Sequence, residues 1–233
     1  MDLGLSNKIA LVTGASRGLG FAVAQQFLLE NAVTIINSRN RKNLLVAQKV
    51  LLENTQKEPY IFEGDMVDKN FSTKIANFID KQFQKLDMLI TNAGGPPPGN
   101  FESISELQWE EAIDLSFLSH VRLIRACLPL LRKSDCPSVL TVTSYSVKQP
   151  ITNLILSNSI RSATIGLTKS LALEFAQENI RFNSILPGWT ETERAQKLFE
   201  SRAQKNETSP EIEKHLQEKE IALNRLAKPE EFG

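Results

Sequence analysis

The chain has little with which to staple a fold or bind a metal. Its 233 residues hold two cysteines and two histidines. Cys127 and Cys136 sit in unrelated contexts without metal-ligand spacing, which argues against a disulfide scaffold or a zinc site. Neither charge is in excess, since 27 Lys and Arg balance 27 Asp and Glu. A net charge of zero gives no drive toward nucleic acid or an anionic membrane surface. No apolar run approaches the roughly 20 residues needed to cross a bilayer. The opening Met1-Asp2-Leu3-Gly4 is polar and acidic, unlike a signal peptide. There is no internal repeat and no interdomain linker. The expectation is one soluble cytoplasmic domain, long enough to bury a sizeable core.

What is present begins at the N-terminus. The apolar run Ile9-Ala10-Leu11-Val12 is followed by Thr13-Gly14-Ala15-Ser16-Arg17-Gly18-Leu19-Gly20. This reads as a buried strand, a glycine-rich turn and a helix over 17–30. Gly14 permits the tight turn, Gly18 lets backbone approach a phosphate, and Gly20 lets the helix lie close to the strand. The helix N-terminus offers free N–H groups and a positive dipole end to a pyrophosphate. Glycines alone are a weak signal; the strand–turn–helix context is what points to a dinucleotide.

Short apolar segments then alternate with helical patterns. Strands are expected at 8–13, 33–37, 60–63, 88–91, 139–144 and 181–186, and helices at 17–30, 41–52, 70–84, 106–133 and 158–177. This rhythm predicts a parallel sheet with helices on both faces and right-handed crossovers. Residues 191–227 break it. They are helical, highly charged and interrupted at Asn206-Glu207-Thr208-Ser209-Pro210, so they read either as a lid over a pocket or as a solvated helix pair. The chain stops at Gly233 just as Lys228-Pro229-Glu230-Glu231-Phe232 opens a helix, which suggests a truncated C-terminus.

The second strand ends Ile36-Asn37-Ser38-Arg39, with no acid where NAD enzymes hold the ribose 2′-hydroxyl. An acid there would repel a 2′-phosphate, whereas Arg39 and Arg17 attract one. NADP(H) is therefore expected over NAD(H). Asp65, after the third strand, can accept from an adenine amino group or cap the next helix.

Taken together, Thr13-Gly14-x-x-x-Gly18-x-Gly20, Asp65, Asn92-Ala93-Gly94, Ser144 and Pro187-Gly188 resemble the short-chain dehydrogenase/reductase family, in its β-ketoacyl-acyl-carrier-protein-reductase-like branch. The resemblance spans nearly the whole chain. It implies a single-domain, doubly wound Rossmann-type α/β fold and a homodimer or homotetramer. It implies hydride exchange between a nicotinamide and a small-molecule or acyl carbonyl. By position it puts cofactor contacts on Gly14, Ser16, Arg17, Gly18, Leu19, Gly20, Ser38, Arg39, Asp65, Met66, Asn92, Ala93, Gly94, Arg161, Pro187 and Gly188.

The family's reaction centre is a Ser, a Tyr-x-x-x-Lys pair and an Asn. Here those positions are Ser144, Ser157, Arg161 and Ser116, so only the serine at 144 matches. A serine hydroxyl is a poor general acid near neutrality, and losing a general acid costs roughly 10²–10⁴-fold in rate. Arginine supplies charge and hydrogen bonds but no proton. Substitute donors are few. Tyr60 lies toward the adenine side, and strand alternation turns Tyr145 away from Ser144's side. His120 shares a helical face with Ser116 but is more simply a packed histidine. Lys148 is a loop lysine, and a water held by Ser157 and Arg161 is a further route. The loop Gly94-Gly95-Pro96-Pro97-Pro98-Gly99 is stiff and poor in donors. With Phe101, Leu154, Ile155 and Trp189 it reads as an apolar wall suited to an apolar or acyl-like substrate. The expected activity is an NADP-dependent carbonyl reductase with an atypical proton donor; the alternative is a non-catalytic NADP(H)-binding or scaffold protein.

Overall fold

Six short strands form one parallel sheet in a computed structural model that describes residues 2–233. They are β1 (Ile9–Val12), β2 (Val33–Ser38), β3 (Tyr60–Glu63), β4 (Met88–Thr91), β5 (Ser138–Val142) and β6 (Arg181–Ile185). The helices between them are α1 (Gly18–Leu29), α2 (Arg41–Thr55), α3 (Phe71–Phe83), α4 (Glu106–Ile113), α5 (Ser119–Leu131) and α6 (Ile155–Glu174). Two more, α7 (Glu193–Asn206) and α8 (Pro210–Lys219), follow β6.

The spatial order is β3-β2-β1-β4-β5-β6. Strand order reverses between β1 and β4, where Leu11 lies beside Leu89 and Val12 beside Ile90. In a doubly wound sheet the ligand crevice opens at the carboxyl ends of those two strands.

Alternation along each strand builds two cores, as a sheet covered on both faces requires. Ile9, Leu11, Ile35, Leu89 and Val139 pack with Ile75, Ile79, Leu123 and Leu131 of α3 and α5. Val12, Ile36, Ile90 and Val142 pack the other way, against Ala24 and Leu28 of α1 and Leu44 and Leu51 of α2. A smaller cluster joins α4 to α6 through Ile104, Ala112, Leu156 and Ile160.

The doubly wound fold expected from the strand rhythm is present, with local departures. The continuous helix expected over 106–133 is broken by a wide π turn at Asp114–Leu118. One extra residue per turn is a local adjustment of hydrogen bonding that hydrophobic spacing does not register. The strand expected to reach Ser144 ends at Val142, and Ser144 instead caps a short 3₁₀ turn, Tyr145–Val147. Helix α6 starts at Ile155, three residues before the expected Asn158, so Ser157 lies in its first turn. At the C-terminal end, the helical start expected at 228–232 is a single 3₁₀ turn, Pro229–Glu231.

Candidate functional site

The glycine turn takes the shape its sequence demands. Gly14 and Gly18 both have φ of +58°, a region that costs other residues strain. A Cβ on Gly20 would sit 2.5 Å from the Gly14 carbonyl oxygen, and one on Gly14 would sit 2.8 Å from that of Asn92. Asn92 pins the turn in place. Its side-chain amide donates to the Thr13 and Gly14 carbonyls at 3.2 Å each, while the Thr13 hydroxyl donates to the Asn92 carbonyl at 2.9 Å. Arg17 precedes α1 without a capping side-chain bond, whereas Asn40, Thr192 and Ser209 cap α2, α7 and α8. The first N–H groups of α1 thus stay available to an anion.

This turn opens into a cavity of about 380 Å³, which reaches from Gly14, Gly18 and Arg39 across Gly94 to Ser144, Ser157 and Arg161. Gly94 and Gly188 line it too, and a Cβ on either would project into open space. A cradle of bare backbone therefore faces the cavity from the ends of β1, β4 and β6.

At the far end, Ser157 and Arg161 lie one helical turn apart on α6 and both face the cavity. The Ser157 side chain makes no hydrogen bond to protein among the described residues. Arg161 Nη1 donates to the carbonyls of Val142 (3.2 Å) and Thr143 (2.9 Å), the two residues before Ser144. Its Nε is buried without a partner. Burial first, then the charge of Arg194, pulls the Arg161 guanidinium down to about 10, so it remains a cation at neutral pH.

Helix α7 closes the opposite wall. Glu191 N–H bonds the Ala227 carbonyl and Ala227 N–H the Trp189 carbonyl, so the ends of the helical excursion meet at its base. Arg17 pairs with Glu193 at 2.5 Å. Arg194 Nη2 donates to the Pro96 carbonyl at 2.6 Å.

The family model for short chain dehydrogenase matches residues 8–203. The chain belongs to that family. It is 28% identical over 226 residues to dehydrogenase/reductase SDR family member 4 of Caenorhabditis elegans, covering 96% of this chain and 84% of that protein. It is 25% identical over 228 residues to the NADPH-dependent reductase BacG of Bacillus subtilis, covering 97% and 88%. Among solved structures it matches L-sorbose reductase of Gluconobacter frateurii complexed with NADPH and L-sorbose, at TM-score 0.92 and 26% identity, over 99% of this chain and 88% of that one.

Against the family's pattern, the predicted site residues fall into two groups. Gly14, Arg17, Gly18, Leu19, Arg39, Asn92, Ala93, Gly94, Ser144, Ser157, Arg161, Pro187 and Gly188 line the one cavity. Ser16, Gly20, Ser38, Asp65, Met66 and Ser116 lie outside its lining. Ser16 and Ser38 bond each other at 3.0 Å, and Gly20 supports the turn from behind. The Asp65 carboxylate accepts from the Val67 N–H at 3.2 Å, the local turn role, and Met66 is buried in the larger core. Ser116 is buried within the π turn, its hydroxyl unpartnered and its carbonyl taken by the Thr164 hydroxyl.

The candidate proton donors separate as clearly. His120 is 2% exposed, outside the cavity and held neutral, its imidazole pushed down to about 3 by burial and then by Arg161. Lys148 is exposed, and Tyr60 is 45% exposed on the edge strand β3. Tyr145 corrects the alternation argument: the chain bends after Val142, and Tyr145 lines the same cavity as Ser144. Its hydroxyl accepts from the Trp189 indole at 2.8 Å. Burial leads in making that phenol a weaker acid than usual.

The apolar wall expected from the proline loop is also corrected. Leu154 and Trp189 do line the cavity, but Ile155 turns to the α4–α6 cluster and Phe101 is 75% exposed. The loop carries a cation, since the Arg194 guanidinium lies so close over Gly95 that a Cβ there would meet its Nε at 2.8 Å. Sequence reasoning missed Arg194. Its one available signal was its place beside Ala195 and Leu198 on the inward face of α7.

Proposed function

We propose that this chain is an NADP(H)-dependent reductase of a small carbonyl compound. The observation that carries the reading is continuity. The uncapped start of α1 and the bare glycine cradle at the β1–β4 switch point share one cavity with Ser144, Ser157 and Arg161. The residues present fit a dinucleotide: backbone N–H groups of 18–20 for the pyrophosphate, Gly94 and Gly188 as open floor, Arg39 and Arg17 for a 2′-phosphate. When bound, a reduced nicotinamide supplies the hydride, and the alkoxide so formed must take a proton. Ser144 and Ser157 supply hydroxyls that orient the carbonyl oxygen, and Arg161 places a fixed positive charge on the same side. Ser157, one turn from Arg161, is the group that passes a proton from solvent to that oxygen. The NADPH-linked relatives support this cofactor, and the absence of any acid after β2 supports the phosphorylated form.

A second reading, cofactor binding without turnover, draws on the replacement of a phenol and an amine by Ser157 and Arg161. Calorimetric titration with NADPH and NADH, followed by NADPH consumption over a panel of ketones, separates the two: binding without consumption favours the second, and no binding of either nucleotide defeats both. Arg39→Ala is expected to weaken NADPH about tenfold, the lower worth of a charge-assisted hydrogen bond, and to leave NADH affinity unchanged. Equal loss for both nucleotides would remove Arg39 from the 2′-phosphate.

A further inference from the structure

We infer that the substrate is a short oxo acid, its carboxylate gripped by Arg194 beside a carbonyl that faces Ser144, Ser157 and Arg161. This rests on the reductase reading above and adds the chemical class of its substrate.

The charge lining the cavity is one-sided. Arg17, Arg39, Arg161, Arg194 and Lys197 face it, against the single acid Glu193. Glu193 is spent on Arg17. With Arg17 paired, the proposed cofactor 2′-phosphate accounts for Arg39, and Lys197 is exposed. Arg161 and Arg194 remain: Arg161 stands one turn from Ser157 on α6, and Arg194 follows Glu193 at the start of α7.

Neither has a carboxylate partner among the described residues. Arg161 reaches only backbone carbonyls, and so does Arg194. Both line the same cavity, and the charge of Arg194 adds to burial in lowering the Arg161 guanidinium. Burial lowers both guanidinium groups from their usual value. A partly buried cation without an anion carries a desolvation cost, and two facing one cavity add to it. An anionic ligand resolves both costs at once.

The geometry of Arg194 suits a carboxylate. The guanidinium carries five N–H donors in a planar fork. One is fixed on the Pro96 oxygen at 2.6 Å, which holds the plane flat over Gly95 and leaves other donors for a ligand. The absence of a side chain at residue 95 is what lets the fork lie there. Because Arg194 and Arg161 line one cavity, an anion on the first and a carbonyl oxygen near the second can belong to one short molecule. Ile151, Leu154, Trp189 and Leu198 complete the lining, which suits an aliphatic or aromatic tail.

The test uses the whole protein saturated with NADPH and titrated calorimetrically with phenylpyruvate, with 4-methyl-2-oxopentanoate, and with the methyl ester of each. The acids are expected to bind about tenfold or more tightly than the esters, the worth of one charge-assisted contact. Arg194→Gln is expected to erase that preference while leaving NADPH affinity unchanged, and Arg194→Lys to keep part of it. Acids binding no tighter than esters, or not at all, overturns the inference. So does an Arg194→Gln variant that loses NADPH as steeply as it loses the acids, which would place Arg194 on the cofactor. Dihydroxyacetone phosphate binding where the acids fail would replace the oxo acid by a phosphorylated ketone. If NADPH itself does not bind, the reductase reading falls separately. The acid–ester preference and its loss in Arg194→Gln are then read on the cofactor-free protein.

Discussion

Arg161→Met is expected to lower kcat/KM for carbonyl reduction by roughly 10²–10³-fold, the range for removing one fixed electrostatic donor from a reaction centre. Arg161 lies one helical turn from Ser157 and bonds the carbonyls of the two residues before Ser144. Its Nη1 is held by the carbonyls of Val142 and Thr143, so its position is set before any ligand arrives. A preorganised cation of this kind stabilises a developing alkoxide without reorganising. Burial has not neutralised it, since its value of about 10 leaves the charge intact at neutral pH. Methionine keeps much of the length and none of the charge. It also strips two carbonyls of their donor, so the melting temperature should be followed alongside. The decisive comparison is Arg161→Lys, which restores a cation and should recover a substantial part of the rate. Equal rates in Arg161→Met and wild type would remove this residue from the reaction. Joining Arg161→Lys to Ser157→Tyr installs the family's phenol and amine. A faster enzyme would mean that the present pair is a weakened version of that centre, and a slower one that Ser157 and Arg161 are fitted to their own substrate.

The legible parts of this site are those whose chemistry is local. The turn at 13–20 could be read because strand, glycines and helix are consecutive, and each glycine answers a constraint within a few residues. Strands β3 and β4 have the bounds their apolar runs predict, Tyr60–Glu63 and Met88–Thr91. What stayed hidden depends on pairs distant in the chain. Arg194 meets Pro96 across 98 positions, and its place beside Ala195 and Leu198 marks it as inward-facing without saying what it meets there. Tyr145 faces the cavity because β5 stops two residues before Ser144, which caps a 3₁₀ turn. Alternation holds along a strand and fails where the strand ends. The π turn at Asp114–Leu118 was invisible for a related reason. Residues on both sides keep their apolar spacing, and the extra residue shows only in which carbonyl each N–H reaches.

Asp87→Ala is expected to destabilise the fold by about 3 kcal/mol and lower its melting temperature by roughly 10 °C. Asp87 is fully buried at the start of β4. Its carboxylate accepts from the Ile9 N–H at 2.7 Å, the Ser134 hydroxyl at 2.5 Å and Lys85 at 3.1 Å. Its backbone joins β1 and β5 through Ile9 and Ser138, so one residue gathers the beginnings of the three central strands. Burial alone would raise its carboxyl. The Ile9 N–H, Ser134 and Lys85 outweigh that and hold it below the usual value of 3.8. Folding therefore favours the ionised form. Its contribution is complete above the unfolded value of roughly 3.9 and is lost as pH falls through the folded one. Wild type should lose stability over that acid window more steeply than Asp87→Ala. Asp87→Asn, which keeps an acceptor for Ile9 but cannot ionise, should lie between them in stability at neutral pH and be as flat as Asp87→Ala over the acid window. A perturbed buried acid often marks a reaction centre, but this one lies at the amino ends of the strands, and the cavity opens at their carboxyl ends. Below its own melting transition, Asp87→Ala should therefore bind NADPH as wild type does. A lower affinity in the folded variant would show that the two ends of the sheet are coupled.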